Sequence, residues 1–381
     1  MKTADRTTIG ATLTCLALIA SGCGPSARPP ARVFDIQVDA KTTSFSLAAS
    51  LYFPKDVEAH PGDTLRFTAV DRGEIHTVTF GTLVDTAVTK LTGTAPGPSR
   101  PTLASLGLPQ VIEGPPDELG RTATQPCFVE RGAVPRDGCS GEQQRQPDLT
   151  GKQSFYSSGY LAGGAVFAVR LATSITPGVY GFLCLLHGPD MAGRVVVVES
   201  ARAIAEPSAV TARGATELEG IVSGLRSSIG PATSALPRAT VVAGVPARGI
   251  RHTQATVFAP DDVNVRRGET VTWQVLGFHT ISFNAPQDAV GLVIRASDGS
   301  WTLNSLLLQP ERSPTQVSGP PPGPLLWDSG TWDGRGFRSS GLIRSDDPPF
   351  ISYRVTFAEP GTYGYKCLLH PDMEGRIRVV D

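Results

Sequence analysis

Cysteine, histidine and methionine fall close together twice in this chain, each time after a segment rich in aromatic residues. The first cluster is Cys184, His187 and Met191 within "YGFLCLLHGPDM". The second lies within "YGYKCLLHPDM" near the end of the chain. Thiolate and thioether sulfur are soft metal ligands, and imidazole suits several transition metals. The two clusters therefore predict soft-metal sites, provided that a further ligand joins each of them.

A histidine far upstream provides that ligand in each half, because "HTVTF" begins at His76 and "HTISF" at His279. Two histidines, one cysteine and a distant axial methionine form a type 1 (blue) copper electron-transfer site, with ligands acceptable to both Cu(I) and Cu(II). We therefore predict two coppers per chain. The predicted ligands are His76, Cys184, His187 and Met191 in the first site, and His279, Cys367, His370 and Met373 in the second.

The scarcity of these residue types supports the prediction. The chain has three methionines, of which only Met1 lies outside the two clusters, and four of its six histidines are predicted ligands. Two alternatives remain at this stage. Buried cysteine and methionine can simply pack in a core, and a disulfide between Cys184 and Cys367 would leave the neighbouring histidines unexplained.

The chain also contains an internal repeat. "YFPKDVEAHPGDTLRF", "HTVTF", "FYSSGYL" and "TPGVYGFLCLLH" recur in the same order as "VFAPDDVNVRRGETVTW", "HTISF", "FRSSGLI" and "EPGTYGYKCLLH". Alternating apolar and polar residues between Gly- and Pro-containing turns are typical of antiparallel β-sandwiches. The predicted fold class is all-β, with two tandem Greek-key β-sandwich domains at residues 33–200 and 236–381. The first domain carries a disulfide-containing insertion and the second a Pro/Gly-rich one.

A short helical connector is predicted over residues 201–235. Its apolar residues follow helical spacing, with Ser208 as a candidate N-cap and Gly230-Pro231 as a stop. We expect it to pack on one domain, and a partner-binding helix is the alternative. The apolar residues of this stripe are Leu218, Ile221, Val222, Leu225 and Ile229.

The N-terminus has the features of a targeting segment. A weakly basic start and the apolar run "IGATLTCLALIASGC" predict a signal peptide over residues 1–22. Ala20-Ser21-Gly22-Cys23 resembles a bacterial lipobox, which implies lipidation of Cys23 and a Pro-rich tether over residues 23–32. The predicted location is extracytoplasmic, lipid-anchored to the bacterial cell envelope; an ordinary secretory signal cleaved nearby is the alternative.

An oxidising compartment is consistent with a disulfide between Cys127 and Cys139 in "CFVERGAVPRDGC". The net charge of −1 gives no indication of a nucleic-acid partner. The predicted membrane contact is the lipid anchor alone.

Each half resembles a cupredoxin of the plastocyanin, pseudoazurin and amicyanin kind, from the strand before the first histidine to the end of the domain. The Cys-x-x-His-x-x-Met loop of the second half resembles that of amicyanin, and the first loop is one residue longer. Many members of the family place asparagine after the first histidine, whereas Thr77 and Thr280 stand there in this chain. The resemblance implies an exported carrier of single electrons between redox partner proteins.

The family also implies that electrons leave through the loop histidines, His187 and His370, under an apolar surface patch. Leu185, Leu186, Leu368 and Leu369 are the residues expected to form such a patch.

Enzymes and copper storage are the alternative functions. Copper oxidases and nitrite reductases also contain repeated cupredoxin domains, but they add copper sites built from His-x-His pairs, which this sequence lacks. After the eight predicted ligands only His60 and His252 remain, and both are expected to be surface histidines. Storage or delivery favours exposed, methionine-rich binding, which is also missing. We therefore predict a carrier that is not an enzyme, with an adhesion module as the non-metal alternative.

Overall fold

The computed structural model describes residues 30–43, 45–71, 73–91, 103–106, 108, 127–129, 146–161, 163–287, 289–295, 301–307, 326–345 and 351–381. Two sheets pack face to face in the first half of the chain. The four-stranded sheet has the order β3-β1-β5-β9, with β1 at Val33–Val38, β3 at Tyr52–Phe53, β5 at Thr64–Ala69 and β9 at Val166–Arg170. The six-stranded sheet has the order β4-β11-β10-β6-β8-β7, with β4 at Asp56–Ala59, β6 at Thr79–Phe80, β7 at Cys127–Val129, β8 at Phe155–Ser157, β10 at Gly178–Cys184 and β11 at Gly188–Val197.

The second half repeats this arrangement. One sheet has the order β2-β13-β12-β15-β23-β20, with β2 at Leu47–Ala49, β12 at Thr240–Pro246, β13 at Thr253–Ala259, β15 at Thr270–Val275, β20 at Leu326–Trp332 and β23 at Ile351–Phe357. The other has the order β14-β25-β24-β17-β21, with β14 at Asp262–Arg266, β17 at Ser282–Phe283, β21 at Arg338–Ser339, β24 at Gly361–Lys366 and β25 at Glu374–Val380. Two smaller pairs complete the strands: β16 (Gly277–His279) with β22 (Ile343–Ser345), and β18 (Val293–Arg295) with β19 (Trp301–Leu303).

A core of buried side chains lies between the two sheets of each half, as the alternating strand patterns predict. In the first half Phe67 of β5 meets Phe182 of β10 with ring centroids 5.1 Å apart. In the second half Trp273 of β15 meets Tyr365 of β24 at 5.3 Å. Because alternate residues of a strand point to opposite faces, one face of each sheet supplies the core. The predicted all-β fold with two β-sandwiches is confirmed.

Parallel strand pairs occur at equivalent places in both sandwiches, which the expectation of purely antiparallel sheets did not include. β1 runs parallel to β5 and β4 to β11 in the first half. In the second half β12 runs parallel to β15 and β14 to β25. The chain leaves one sheet, forms a strand of the other and returns before each parallel pair is made, so a crossover replaces a hairpin.

One strand crosses between the halves. β2 belongs to residues 33–200 of the sequence but pairs with β13 of the second half, with Ala49 opposite Thr253 and Leu47 opposite Ala255. Residues 31–381 form one compact unit. The two β-sandwiches are therefore joined by backbone pairing as well as by the connector.

The connector is a helix, α2, at Pro207–Thr233. It begins one residue before the predicted N-cap, because Pro207 occupies the first turn, where its missing N–H costs nothing. The predicted stop is wrong, since Pro231 lies inside the helix. Leu225 packs with Phe53 of β3 and Val242 of β12, so α2 contacts both halves and not one domain as expected. An apolar stripe can bury against whatever surface faces it, and here strands of both halves do so.

A second helix, α1 at Thr82–Leu91, lies in the first insertion and buries Val84, Ala87, Val88 and Leu91. Short 3₁₀ helices occupy Ala104–Leu106 and Ser305–Leu307. Within the described residues, neither α-helix combines the length and the apolar composition that a bilayer crossing requires.

Candidate metal centres

The first predicted site is assembled from two distant parts of the chain. Cys184 ends β10, His187 lies in the following loop, and His76 pairs with Leu161 in an isolated β-bridge. One donor atom from each of these three side chains lies within 4.8 Å of the other two. The Cys184 Sγ to His187 Nδ1 distance is 3.5 Å.

The second predicted site repeats this geometry. Cys367 follows β24, His279 ends β16, and His370 lies in the loop before β25. Cys367 Sγ is 3.9 Å from His279 Nδ1 and 3.6 Å from His370 Nδ1. The two Nδ1 atoms are 3.1 Å apart. The three donor atoms thus converge on one point inside the protein.

Each cluster has the predicted methionine close in the chain and buried. Met191 lies on β11 and shares the core of the first sandwich with Cys184. Met373 shares the core of the second sandwich with Cys367. The Cys367 N–H donates to the Met373 carbonyl at 2.9 Å, and the Met373 N–H donates to the His370 carbonyl at 3.1 Å. These two bonds close the second loop around its ligands.

The donor sets fit a soft metal ion. Nδ1 of His76 is buried and has no hydrogen-bond partner among the described residues. Burial raises the pKa of the Cys184 thiol, but the charge and hydrogen bond of His187, together with the charge of His76, hold that pKa well below its usual range. Burial also raises the pKa of the Cys367 thiol, but the charges and hydrogen bonds of His370 and His279 hold that pKa well below its usual range. A thiolate is the metal-binding form of cysteine.

The histidines of the two sites differ in their electrostatics. Burial lowers the pKa of His76, but Asp39 and Cys184 raise it well above its ordinary value. Burial lowers the pKa of His370, which the charge of Cys367 and contacts with Glu74 raise to about 10. The pKa of His279 is lowered, chiefly by burial, because its hydrogen bond to Cys367 does not compensate.

Backbone N–H groups point at both sulfur atoms. The Thr77 N–H donates to Cys184 Sγ at 3.3 Å, and the Thr280 N–H donates to Cys367 Sγ at 3.4 Å. The Leu369 N–H makes a further bond to Cys367 Sγ at 3.4 Å. Hydrogen bonds to a thiolate stabilise its negative charge, so these N–H groups belong to the environment that tunes each site.

The outer nitrogen of the upstream histidine has a different partner in each site. His76 Nε2 is 2.8 Å from Asp39 Oδ2, and His279 Nε2 is 3.0 Å from Gln254 Oε1. Asp39 is fully buried, and its other oxygen accepts the N–H of Ala49 at 2.8 Å. The sequence pattern did not indicate either partner, because Asp39 is 37 residues from His76 and Gln254 is 25 residues from His279.

The repeated Ser-Ser-Gly segments hold the upstream histidine strands in place. Ser158 Oγ accepts the N–H of Val78 at 2.9 Å, and Ser340 Oγ accepts that of Ile281 at 2.9 Å. The recurrence of "SSG" in both halves was the one sequence signal for this role. The serines fix the strand two residues after each histidine ligand.

The expected apolar exit surface is largely buried. His187 is half-buried, but His370 is only 3 % exposed. Leu185, Leu368 and Leu369 are also buried. At the second site the expectation fails because it treated each half as a separate domain, whereas the loop at residues 73–76 covers this site.

The two remaining histidines also differ from the surface positions expected. His60 is 5 % exposed, and its Nε2 lies 2.8 Å from the Arg202 carbonyl, which is a structural role. His252 is partly buried with its ring centroid 5.4 Å from that of His187. Its Nε2 also lies 3.7 Å from Asp190. A residue of the second half therefore lies beside the first site.

Cys184 and Cys367 are free thiols, which excludes a disulfide between them. The signal peptide and Cys23 lie outside the described residues. So does Cys139, and its disulfide with Cys127 stays a prediction.

No protein-family model and no curated protein matches the chain. Solved structures do match. A reduced auracyanin from Roseiflexus castenholzii is 14% identical over 44% of this chain and 98% of its own, with a TM-score of 0.22. A mutant plastocyanin of fern is 21% identical over 37% of this chain and 99% of its own, with a TM-score of 0.19. Amicyanin from Paracoccus versutus is 19% identical over 39% of this chain and 88% of its own, with a TM-score of 0.18.

These solved structures are cupredoxins, the family that each half of the sequence resembles. Each of these matches covers well under half of the chain, and at such TM-scores they say nothing further. The function therefore depends on the residues of the two sites themselves.

Proposed function

We propose that this protein binds two copper ions in type 1 sites and carries one electron at a time. The observation that supports this is the recurrence, in both halves, of one cysteine and two histidines with donor atoms within 4.8 Å of one another. Soft thiolate and borderline imidazole ligands are the set that suits both copper oxidation states. A coincidental pair of core cysteines would not bring two histidines to each sulfur.

The chain's own residues would hold the metal as follows. His76, Cys184 and His187 provide the ligands of the first site, and His279, Cys367 and His370 those of the second. Met191 and Met373 would each supply a thioether sulfur as the fourth ligand of their site. Copper held in this way supplies a one-electron Cu(I)/Cu(II) couple. Anchoring the ligands at the ends of paired strands restrains their movement when the metal charge changes.

We favour a carrier over a copper oxidase or nitrite reductase. Those enzymes need further histidine ligands, and the chain has six histidines in all. Four are used in the two sites, His60 is bonded to the Arg202 carbonyl, and His252 lies beside His187. The redox partners of the proposed carrier are proteins whose surfaces meet the half-buried His187.

A copper titration of the purified full chain tests this function. We expect two coppers per chain and an intense visible band from thiolate-to-copper charge transfer, which a reductant bleaches and an oxidant restores. Colourless copper that a competing chelator removes within minutes would instead indicate storage or delivery. A third, colourless copper would indicate an enzyme.

We also propose export and attachment to the cell envelope through a lipid on Cys23, as residues 1–23 suggest. Metabolic labelling with a radioactive fatty acid tests the attachment. Label is expected on the wild-type chain and not on Cys23→Ser. Label on both chains, or on neither, would contradict the lipid anchor and leave the copper sites unaffected.

A further inference from the structure

The carboxylate of Glu74 contacts histidines of both sites. Glu74 lies two residues before His76, yet its Oε1 atom is 3.1 Å from Nε2 of His370, which is 296 residues away. Its Oε2 atom is 3.8 Å from Nε2 of His76. The Glu74 side chain is 13% exposed, and among the described residues its Oε2 has no hydrogen-bond partner. One carboxylate is thus enclosed between two proposed metal sites.

We propose that Glu74 is a positioning residue for His370, so that the second site is completed by the first half of the chain. This inference rests on the proposed function of that site. Nδ1 of His370 faces Cys367 Sγ at 3.6 Å, and Nε2 faces Glu74. When Nδ1 is the ligand, the ring proton resides on Nε2, and that N–H donates to the carboxylate. Such a bond fixes the ring orientation and makes the imidazole a stronger donor.

The loop that carries Glu74 is shaped to reach the second site. Asp71 Oδ1 accepts the N–H groups of Gly73 and Glu74, at 2.5 Å and 3.1 Å, which folds the loop on itself. A side chain at Gly73 would place its Cβ 2.0 Å from the Leu369 carbonyl oxygen. Only glycine therefore allows this loop to approach the backbone between Cys367 and His370 so closely.

A neighbouring backbone bond confirms that the loop is seated there. The Gly73 carbonyl accepts the N–H of Leu292, a residue of the second half, at 3.3 Å. Leu292 itself packs with Leu368, next to the cysteine ligand. The approach of Glu74 to His370 is therefore supported from both sides of the loop.

The contact has no counterpart in the repeat. Gly277 stands two residues before His279, at the place that Glu74 holds before His76. The duplicated unit therefore does not provide a matching carboxylate from the second half to the first site. His76 already has Asp39 at 2.8 Å, closer than Glu74 at 3.8 Å. Loss of Glu74 should then affect the second site much more than the first.

Variants that keep only one of the two cysteine ligands separate the effect of Glu74 on the second site from its effect on the first. In full-length Cys184→Ser only the second site keeps its thiolate, and in Cys367→Ser only the first does. We expect Glu74→Ala to weaken Cu(I) binding about 10- to 100-fold in the Cys184→Ser chain, the usual effect of losing an outer partner of a histidine ligand. In the Cys367→Ser chain the loss should stay below about threefold. Binding is measured by competition with a Cu(I) chelator of known affinity.

Two further variants distinguish positioning from general damage to the fold. Glu58→Gln changes an exposed glutamate of β4 that pairs with Arg202, and it should leave both affinities unchanged. Gly73→Ala displaces the loop by steric clash and should reproduce the second-site loss while Glu74 itself is intact. An equal loss in both single-site chains, or no loss in either, would overturn the proposal.

The metal-free protein provides a readout independent of copper. The ring N–H of His370, held by Glu74, should give a slowly exchanging, downfield proton resonance that disappears in Glu74→Ala and persists in Glu58→Gln. If the wild-type chain failed to bind copper but showed this resonance, the proposed function would fail and the positioning contact would stand. If the resonance were missing from the wild type, or present in Glu74→Ala, the contact itself would be wrong.

Discussion

Thr280 and Leu368 are joined by a hydrogen bond that ties together the two ligand-bearing segments of the second site. The Leu368 N–H donates to Thr280 Oγ1 at 2.8 Å, and in the first site the Leu185 N–H donates to Thr77 Oγ1 at 2.8 Å. Each threonine follows the upstream histidine, and each leucine follows the cysteine. Each threonine hydroxyl therefore links the two ligand-bearing segments of its site, at the position where many cupredoxins have asparagine.

Replacing Thr280 with valine should remove this link and leave a buried N–H without an acceptor. We expect Thr280→Val to lower the free energy of unfolding by about 1–3 kcal/mol and to shift the visible band of the second site alone. Chemical denaturation and absorbance of the copper-loaded protein measure the two effects. Thr77→Val is the matched control, because it should shift only the first-site band. Shifts of both bands by either variant would contradict this assignment.

Gly244 lies so close to the second site that any side chain at this position would collide with the residues of the site. Its φ is +81°, and an added Cβ would lie 2.2 Å from His279 Nε2 and 2.9 Å from Gln254 Oε1. Gly244→Ala should displace the histidine and abolish the second-site colour. Gly249, with φ +72° and nothing within 4 Å of an added Cβ, is the control for backbone strain alone. Gly249→Ala should cost about 1 kcal/mol of stability and keep both bands; equal loss of colour in the two variants would refute the steric argument.

The reduction potentials of the two sites should respond to different residues. Asp39 places a buried negative charge on His76, whereas Gln254 places a neutral amide on His279. A negative charge stabilises the more highly charged Cu(II). Asp39→Asn should therefore raise the first-site potential, and Gln254→Glu should lower the second-site potential.

A change of about 1–2 kcal/mol corresponds to on the order of 40–90 mV for one electron. Spectroelectrochemical titration at the two visible bands measures each potential, and the unsubstituted site is the internal control in each variant. A potential that moves in the opposite direction, or at the wrong site, would show that these contacts do not tune the metal.

Asp85, which belongs to neither metal site, should make the stability of the protein depend on pH. Burial raises the pKa of the Asp85 carboxyl to about 6. The N–H of Gly181, which donates to this carboxyl at 2.6 Å, lowers the pKa but does not offset the effect of burial. The carboxyl of the unfolded chain has a pKa near 3.9. Between about pH 4 and pH 6 the folded protein binds more protons than the unfolded chain does. The contribution of Asp85 to stability is therefore fully present below pH 4 and is lost as the pH rises through about 6.

Asp85→Asn keeps an oxygen that can accept the N–H of Gly181. Because the amide does not ionise, the variant should not lose stability as the pH rises through about 6. At pH 7 we expect the variant to be more stable than the wild type by about 1 kcal/mol, after allowance for the partial exposure of Asp85. At pH 4 the two should be equally stable. Urea denaturation across this range measures the difference. A difference that is constant with pH would mean that the carboxyl is not raised in pKa.

The sequence predicted the features that depend on short spacing or repetition. Cys184 and His187 lie three residues apart, so their convergence needs only a tight loop, and the duplicated "HT" motif indicated which histidines come from upstream. The strand patterns likewise predicted two sandwiches, because alternation reports which side of a strand is buried.

Contacts between distant segments could not be predicted in this way. Asp39, Gln254 and Glu74 reach their histidines only because particular loops are folded against particular strands. No periodicity in one half indicates that β2 pairs with β13, or that α2 packs on both halves. The burial of His370 follows from that arrangement and was therefore missed.

The central claim is that each half holds one type 1 copper. Electron paramagnetic resonance of the oxidised, copper-loaded full chain tests it most directly, with spins counted per chain in the wild type and in Cys184→Ser and Cys367→Ser. We predict two spins with the narrow parallel hyperfine splitting of a copper–thiolate bond in the wild type, and one such spin in each variant. A wild-type spectrum with ordinary wide splitting, unchanged by either substitution, would contradict the account.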